Sequence, residues 1–437
     1  MKALSRSAAA AALAAALALG VPTVAAASGT ARSASADTPA ACAAGVPVGP
    51  AGAAFYNPPA PLPRGRHGDL IWADAVPAPR LAHACRILYL STLHDGTPVA
   101  VSGIVVWPDG AGPAAGHDVV AWAHGTVGGP RQCAPSAAAK PAVNLVDYFT
   151  FDSSLGIDVG VPALTDLLAQ GDVVVGTDYQ GLGGPGVHQY VVAGTETRNV
   201  LDSVLAARQI QAAHAGPKTA VLGWSQGGGA ALFIGQDGAG YAPGVDLVGV
   251  AGLAPAADIG PELEGHVLPG PHTATSRSHN AGLRINVYRG FLAAYPELKA
   301  DEVLQTAGIQ ALAGDGTACI EHFADVLQSN YAETHELHTL FQPLRDVPQD
   351  WTKRFDENTA GYAPSRVPVL VVQGTDDSVI NPHSTAQYVR RACAFGEPLE
   401  YTTYAGATHQ TIPFVARPQY LHWLADRFAG RPAPATC

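Results

Sequence analysis

One short stretch constrains this chain more than any other. Gly223-Trp224-Ser225-Gln226-Gly227 lies between an apolar run, Thr219–Trp224, and a segment, Gly227–Ile234, that reads as helix. A serine at a sharp strand-to-helix turn is held in a strained backbone conformation with its hydroxyl exposed. Neighbouring backbone must pass close by, so the flanking positions must lack side chains. Gly223, Gly227 and Gly228 meet that demand. The same turn places the Gln226 N–H at a helix N-terminus, where it can donate to a developing negative charge. The bland alternative, a chance serine in a glycine-rich turn, does not explain the strand before it and the helix after it.

The surrounding pattern extends this turn into a fold. Cys85–Leu90 and Val99–Trp107 are β-rich and flank Asp95-Gly96, which predicts a hairpin. His117–Ala123, Asp172–Gly176, Thr219–Trp224, Leu247–Leu253, Val367–Val372 and Leu399–Tyr404 read as buried strands. Leu164–Gln170 (closed by Gly171), Glu196–His214, Gly227–Ile234 and Pro418–Phe428 read as helices. Buried strands alternating with helices predict an α/β architecture, a mostly parallel sheet with helices on both faces. From about Ile259 to Tyr362 the rhythm breaks. Ala281–Tyr295, Asp301–Ala313 and Cys319–Phe341 predict helices and no buried strand. The expected organisation is a core over residues 67–258 and 363–437, with 259–362 as a helical cap inserted between two core strands.

The N-terminus reads as an export signal. Lys2 and Arg6 precede the apolar stretch Ala8–Leu19, and Ala25-Ala26-Ala27 gives the small-residue pattern of a signal peptidase site before Ser28. Residues 1–27 are therefore expected to be removed. Ala34-Ser35-Ala36 offers a second cleavage point. Residues 28–66, rich in Ala, Pro and Gly, are expected to wrap the surface or stay disordered. All six cysteines follow the signal, which in an oxidising compartment favours three disulfides. Cys393–Cys437 is the single most expected pair, because a cysteine at the last residue is well placed to pin the tail. The expected location is extracellular. A net charge of −11 gives no electrostatic footprint for nucleic acid and none for anionic lipid. No stable membrane anchor is expected, only transient contact with a lipid interface, and the sequence says nothing of oligomeric state.

A serine hydroxyl needs a base, and on a scaffold of this kind the chain order is serine, acid, histidine. There are 16 histidines, so order does the selecting. His383 follows the candidate acids too closely, and His422 lies inside the last predicted helix. His409, in Gly406-Ala407-Thr408-His409 just past the strand Leu399–Tyr404, is where the base is expected. The acid should end the preceding strand, at Thr375-Asp376-Asp377-Ser378. Asp377 is favoured, because Ile380 can pack and fix its loop. Asp376 reads as a turn residue bonded to its own backbone. The second oxyanion donor is assigned to Thr126 of His124-Gly125-Thr126, with Gly125 as fallback, while His124 reads first as a buried, hydrogen-bonded residue. His335-Glu336-Leu337-His338 is one residue short of a zinc motif, and Gly181-Leu182-Gly183-Gly184 lacks the lysine of a phosphate loop. No metal and no cofactor are expected.

With these residues in hand, the chain resembles the secretory lipase family, the α/β-hydrolases that include the Candida-type lipase A. The resemblance rests on Trp122–Thr126, Thr177–Gly183, Gly223–Gly227, His188, the helix opening at Glu196, Gly374–Asp377 and Gly406–His409. It implies an α/β-hydrolase fold with a helical cap and a triad of Ser225, Asp377 and His409. It also implies an oxyanion hole near Thr126 and Gln226, and hydrolysis of triacylglycerols or other carboxylic esters without cofactor. A short-chain carboxylesterase, or an acyltransferase or peptidase using the same triad, is the alternative. A non-catalytic binding module would predict a missing triad member, and all three are present. Within the cap, Gly290–Tyr295 and Gly308–Ala313 carry more apolar surface than a solvated helix pair needs. Phe291 and Leu312 are therefore expected to line an acyl pocket.

Overall fold

The computed structural model describes Cys42 and residues 45–144, 160–260, 274–332 and 337–437. The proposed signal segment, the stretch 261–273 of the cap and the pair His335-Glu336 lie outside the described residues.

Among the described residues, nine strands form one sheet in the order β1-β2-β3-β7-β4-β8-β9-β10-β11. They are β1 (Leu70–Ala75), β2 (Ala82–Thr92), β3 (Pro98–Pro108), β4 (His117–Ala123), β7 (Val173–Thr177), β8 (Ala215–Trp224), β9 (Asp246–Leu253), β10 (Val369–Gly374) and β11 (Leu399–Tyr404). Two short segments, β5 (Val143–Asn144) and β6 (Gly160–Val161), pair separately. β1, β2, β3 and β7 run antiparallel in sequence across the sheet, and from β7 through β4, β8, β9, β10 and β11 every pairing is parallel. Side chains alternate across a strand, so a strand covered on both sides must be apolar at every position. Val173 and Val175 of β7 enter one core and Val174 the other; Val369 and Val371 of β10 are separated from Leu370 and Val372 in the same way. Helices Ala193–Ala207 and Gln226–Tyr241 cover the first face, Leu164–Gln170 and Arg417–Phe428 the second.

Several elements differ from the sequence expectation. β1 is an edge strand paired antiparallel with β2, and its mixed polarity (Trp72, Asp74) hid it. Helix Pro382–Cys393 was not expected after the Asp377 turn, although Asn381 caps it through the His383 N–H at 2.9 Å and Pro382 opens it. The segment 45–66 is anchored to the sheet edge. Phe55 and Tyr56 are buried, Ala73 donates to Pro47 O at 3.0 Å, and the Trp72 indole donates to Phe55 O at 3.0 Å.

Between β9 and β10 lie helices Ala274–Ala294, Thr306–Asp315, Ile320–Leu327 and Gln349–Glu357. The expected helix Asp301–Ala313 is divided, with a 3-10 turn at Ala300–Glu302 before the α-helix. The expected Cys319–Phe341 is broken after Leu327 by a π turn over Gln328–Ala332. These helices share an aromatic core of their own, in which Phe291 stacks on Trp351 and the Phe291–Tyr295, Phe291–Phe355 and Trp351–Phe355 pairs meet at tilted angles.

All six cysteines are paired, as Cys42–Cys85, Cys133–Cys319 and Cys393–Cys437. The pairing expected for the last residue is the one found. Cys133–Cys319 joins the loop after β4 to the start of helix Ile320–Leu327. The Ile320 N–H donating to Val127 O at 3.1 Å reinforces that junction.

Candidate active site

β8 lies between β4 and β9, and Ser225 follows its last residue at the carboxyl edge of the sheet. Ser225 has φ 58° and ψ −118°, a conformation that costs a non-glycine residue on the order of 1–3 kcal/mol. Its surroundings hold it there. Its N–H donates to Leu253 O at 2.9 Å, and its carbonyl accepts from Ala256 N at 2.9 Å and Gly229 N at 3.1 Å. A Cβ on Gly223 would overlap the Gly227 carbonyl, and one on Gly227 would overlap the Ala123 carbonyl. A side chain at Gly228 would come within 2.8 Å of Pro255. The turn is therefore buildable only with glycine on both sides of the serine.

The acid and the histidine arrive from the next two strands. Gly374 ends β10 where the Ala407 carbonyl leaves no room for a side chain, so the turn after β10 lies against the loop after β11. Asp377 and His409 meet there, His409 Nδ1 to Asp377 Oδ2, at 2.8 Å. Asp377 is 4% exposed and also accepts from Val379 N and Ile380 N, each at 2.8 Å, and from Gln373 Nε2 at 3.0 Å. With Nδ1 facing a carboxylate, the proton belongs on Nδ1 and the lone pair on Nε2. The imidazole packs on Trp224, ring centroids 5.1 Å apart, and the Trp224 indole donates to His409 O at 3.2 Å. The base candidate thus sits against the residue before Ser225. Asp376 is exposed, takes a bond from the Thr375 hydroxyl at 3.0 Å and does not reach the imidazole. His383 and His422 bond to Gln387 and Asp426, away from this site.

The loop after β4 lies beside the elbow. Gly125 packs against the Trp224 ring, from which a Cβ would stand 2.8 Å away. The Thr126 hydroxyl is 2.6 Å from the Tyr190 hydroxyl. His124 is buried with Nδ1 at 2.6 Å from Gly125 O and Nε2 at 3.4 Å from Asp178 O, and burial lowers its pKa to about 4. A neutral imidazole has one N–H, and it belongs on Nδ1, donating to the nearer carbonyl, that of Gly125. Asp178 explains the Asp-Tyr segment: it accepts from the Ser102 hydroxyl of β3 at 2.6 Å and from the backbone N–H and hydroxyl of Ser136, tying β3 to the loop after β4. The Tyr179 hydroxyl donates to His124 O at 3.2 Å.

Gln226 starts the helix after the elbow, so its backbone N–H has no acceptor inside the helix. Its side chain is buried and held by two partners that the sequence did not single out for a role. Nε2 lies 2.6 Å from Glu196 Oε1 and 3.1 Å from His188 Nε2. Only the helix opening at Glu196 and the isolated His188 signalled them.

A small apolar cavity of about 50 Å³ lies between helix Ala274–Ala294 and the core. Leu283 and Val287 of the cap helix, Val379 and Ile380 beside Asp377, and Tyr190 and Ala256 beside Thr126 and Ser225 line it. The Asn280 amide fastens the cap helix to Ser378 O at 3.2 Å. Phe291 and Leu312 do not line this cavity, which corrects their expected place. Phe291 is fully enclosed by the aromatic core of the cap, and Leu312 packs against the same core. Their apolar surface holds the cap together.

A nine-stranded, mostly parallel sheet with helices on both faces and a serine elbow at its carboxyl edge defines an α/β-hydrolase fold. The chain belongs to the secretory lipase family, whose model matches residues 152–435, and so to a group of carboxylic ester hydrolases. It is similar to Lipase 5 of Candida albicans, 24% identical over 90% of this chain and 83% of that protein. It is also similar, at 25% identity over 88% of this chain and 84% of the other, to a Mycobacterium tuberculosis protein named "Probable inactive lipase". The crystal structure of Candida antarctica lipase A in its closed state superposes with a TM-score of 0.67, 18% identity, and coverage of 85% of this chain and 86% of that one.

Proposed function

We propose that this protein is a secreted serine hydrolase of lipid esters, a triacylglycerol lipase, working through Ser225, His409 and Asp377. A relative bearing the name of an inactive lipase means that family membership alone does not carry activity, so the reading rests on this chain's own residues. The observation that carries it is Ser225 at φ 58°, directly after a Trp224 whose ring packs on His409, whose Nδ1 is bonded to a buried carboxylate at 2.8 Å.

In this reading His409 Nε2 takes the Ser225 proton as the hydroxyl attacks the ester carbonyl. Asp377 keeps the imidazole in one tautomer and stabilises the imidazolium. The tetrahedral oxyanion is held by the backbone N–H groups of Gln226 and Thr126, donors that need no reorganisation as charge develops. The alcohol leaves with the proton from His409, and water attacks the acyl-enzyme through the same base. The segment 259–362 acts as a cap, and the cavity beneath it takes the acyl chain, each buried CH₂ contributing about 0.8 kcal/mol. The protein reaches the outside through the proposed signal, with a mature N-terminus at Ser28 or Asp37. Among the described residues no helix is long and apolar enough to cross a membrane.

The test is a p-nitrophenyl ester series from acetate to palmitate, run beside emulsified triglyceride, with Ser225→Ala as control. Rising kcat/KM with chain length and turnover of the emulsion, both lost in Ser225→Ala, are expected. Turnover confined to acetate and butyrate would make the protein a short-chain carboxylesterase.

A further inference from the structure

Glu196 lies in the first turn of helix Ala193–Ala207 and is 2% exposed. A carboxyl group sealed in the interior needs a reason, because burial without a cation is costly. Glu196 makes no ion pair among the described residues; what it does is accept. Its Oε1 takes the Gln226 side-chain N–H at 2.6 Å and the Val191 backbone N–H at 2.9 Å. Both donors belong to the reactive end of the molecule. Gln226 carries the backbone N–H assigned above to the oxyanion. Val191 has φ 51°, an outlier for a β-branched residue, and lines the apolar cavity next to Tyr190, whose hydroxyl meets Thr126. The remaining Gln226 proton goes to His188 Nε2, and His188 Nδ1 is 2.8 Å from Gln180 O, so Nδ1 carries the proton and Nε2 can accept.

We propose that Glu196 is a positioning residue for ester hydrolysis, one oxygen fixing at once the Gln226 end of the oxyanion site and the Val191–Tyr190 wall of the acyl cavity. The proposal rests on the ester-hydrolase reading. Glu196 touches no reacting atom and acts through Gln226 and Val191.

The network has a charge requirement. Burial raises the Glu196 pKa to about 8, so below that pH the side chain is the neutral acid. The groups facing it bring no positive charge. They are the Tyr179 and Tyr190 phenols, both pushed upward, the His188 imidazole, lowered to about 3 by burial, and the amides of Gln226 and Asn358. Arg289 of the cap helix faces His188 from further out. Above pH 8 Glu196 gains a negative charge in a low-dielectric region beside the site where the oxyanion forms, and such a charge opposes the transition state.

The test is kcat and KM on p-nitrophenyl butyrate from pH 6 to 10 for wild type, Glu196→Gln and Glu196→Ala. Glutamine reproduces the neutral acid's acceptor oxygen and cannot ionise. Glu196→Gln should keep kcat within about threefold of wild type at pH 7. It should stay flat where wild-type kcat falls at least fivefold between pH 7.5 and 9.5. Glu196→Ala leaves two buried donors without an acceptor and should lose tenfold or more in kcat. A Gln variant with the wild-type alkaline fall, or a folded Ala variant with wild-type kcat, overturns the proposal while the ester-hydrolase reading stands. If Glu196→Ala does not fold, the Gln pH profile decides. Absence of Ser225-dependent hydrolysis in the wild type overturns both.

Discussion

Ser225 is kept in its strained conformation by backbone atoms on every side, and that is why its neighbours could be read from the chain. Gly223, Gly227 and Gly228 are glycine for contacts with the Gly227 and Ala123 carbonyls and with Pro255. A local steric demand of this kind leaves a local trace. The choice between adjacent carboxylates is also local. Asp377 points inward to four donors, whereas Asp376 is exposed and bonded to Thr375. Asp377→Asn should therefore lower kcat by at least a hundredfold, since the amide favours the wrong imidazole tautomer. Asp376→Asn should stay within a few fold. Steady-state kinetics on one soluble ester checks both, and the reverse ranking would move the acid to Asp376. The Glu196–Gln226–His188 network left no comparable trace. Its members are 30 and 38 residues apart, and nothing in the sequence says that three polar side chains become buried neighbours.

At the scale of elements, the strands buried on both faces were legible because every position in them is apolar, as in Val173–Val175 and Val369–Val372. The edge strand β1 and the helix Gln349–Glu357 were not. β1 has one face against β2's neighbours and mixed polarity, and helix Gln349–Glu357 shows only Trp351 and Phe355 to the core. The cap residues chosen for apolar character alone turned out to be its interior. Composition marks a residue as buried without saying whether protein or substrate buries it. The cavity position supplies that distinction. Leu283, on helix Ala274–Ala294, faces open space beside Ile380. Leu283→Trp should cut kcat/KM for a decanoate ester at least tenfold and leave the acetate within about twofold, measured side by side. Phe291→Ala should instead cost about 3–5 kcal/mol of stability and spare the chain-length profile of the protein that remains folded. Equal losses on both esters in Leu283→Trp would mean that the cavity does not hold the acyl chain.

At the scale of the whole molecule, three disulfides join segments that lie far apart in the chain or at its end. Cys42–Cys85 holds the N-terminal segment on β2, Cys393–Cys437 holds the tail on helix Pro382–Cys393, and Cys133–Cys319 holds the cap on the loop that carries Thr126. The even cysteine count made full pairing legible, but the tail pair alone could be named, because the other two join segments that meet only in the fold. The same holds for the site. Chain order selects Ser225, Asp377 and His409 from 437 residues, and the sheet order brings them to one edge. Everything proposed for catalysis requires that these three residues form a working acyl-transfer site. That requirement is tested most directly by exposing the secreted protein to an organophosphonate ester and locating the adduct by peptide mass spectrometry. One equivalent of label is expected, on Ser225, with activity lost in step, and no label on Ser225→Ala or on His409→Ala over the same time. An unlabelled Ser225 in protein that hydrolyses esters, or an adduct elsewhere that abolishes turnover, would contradict it.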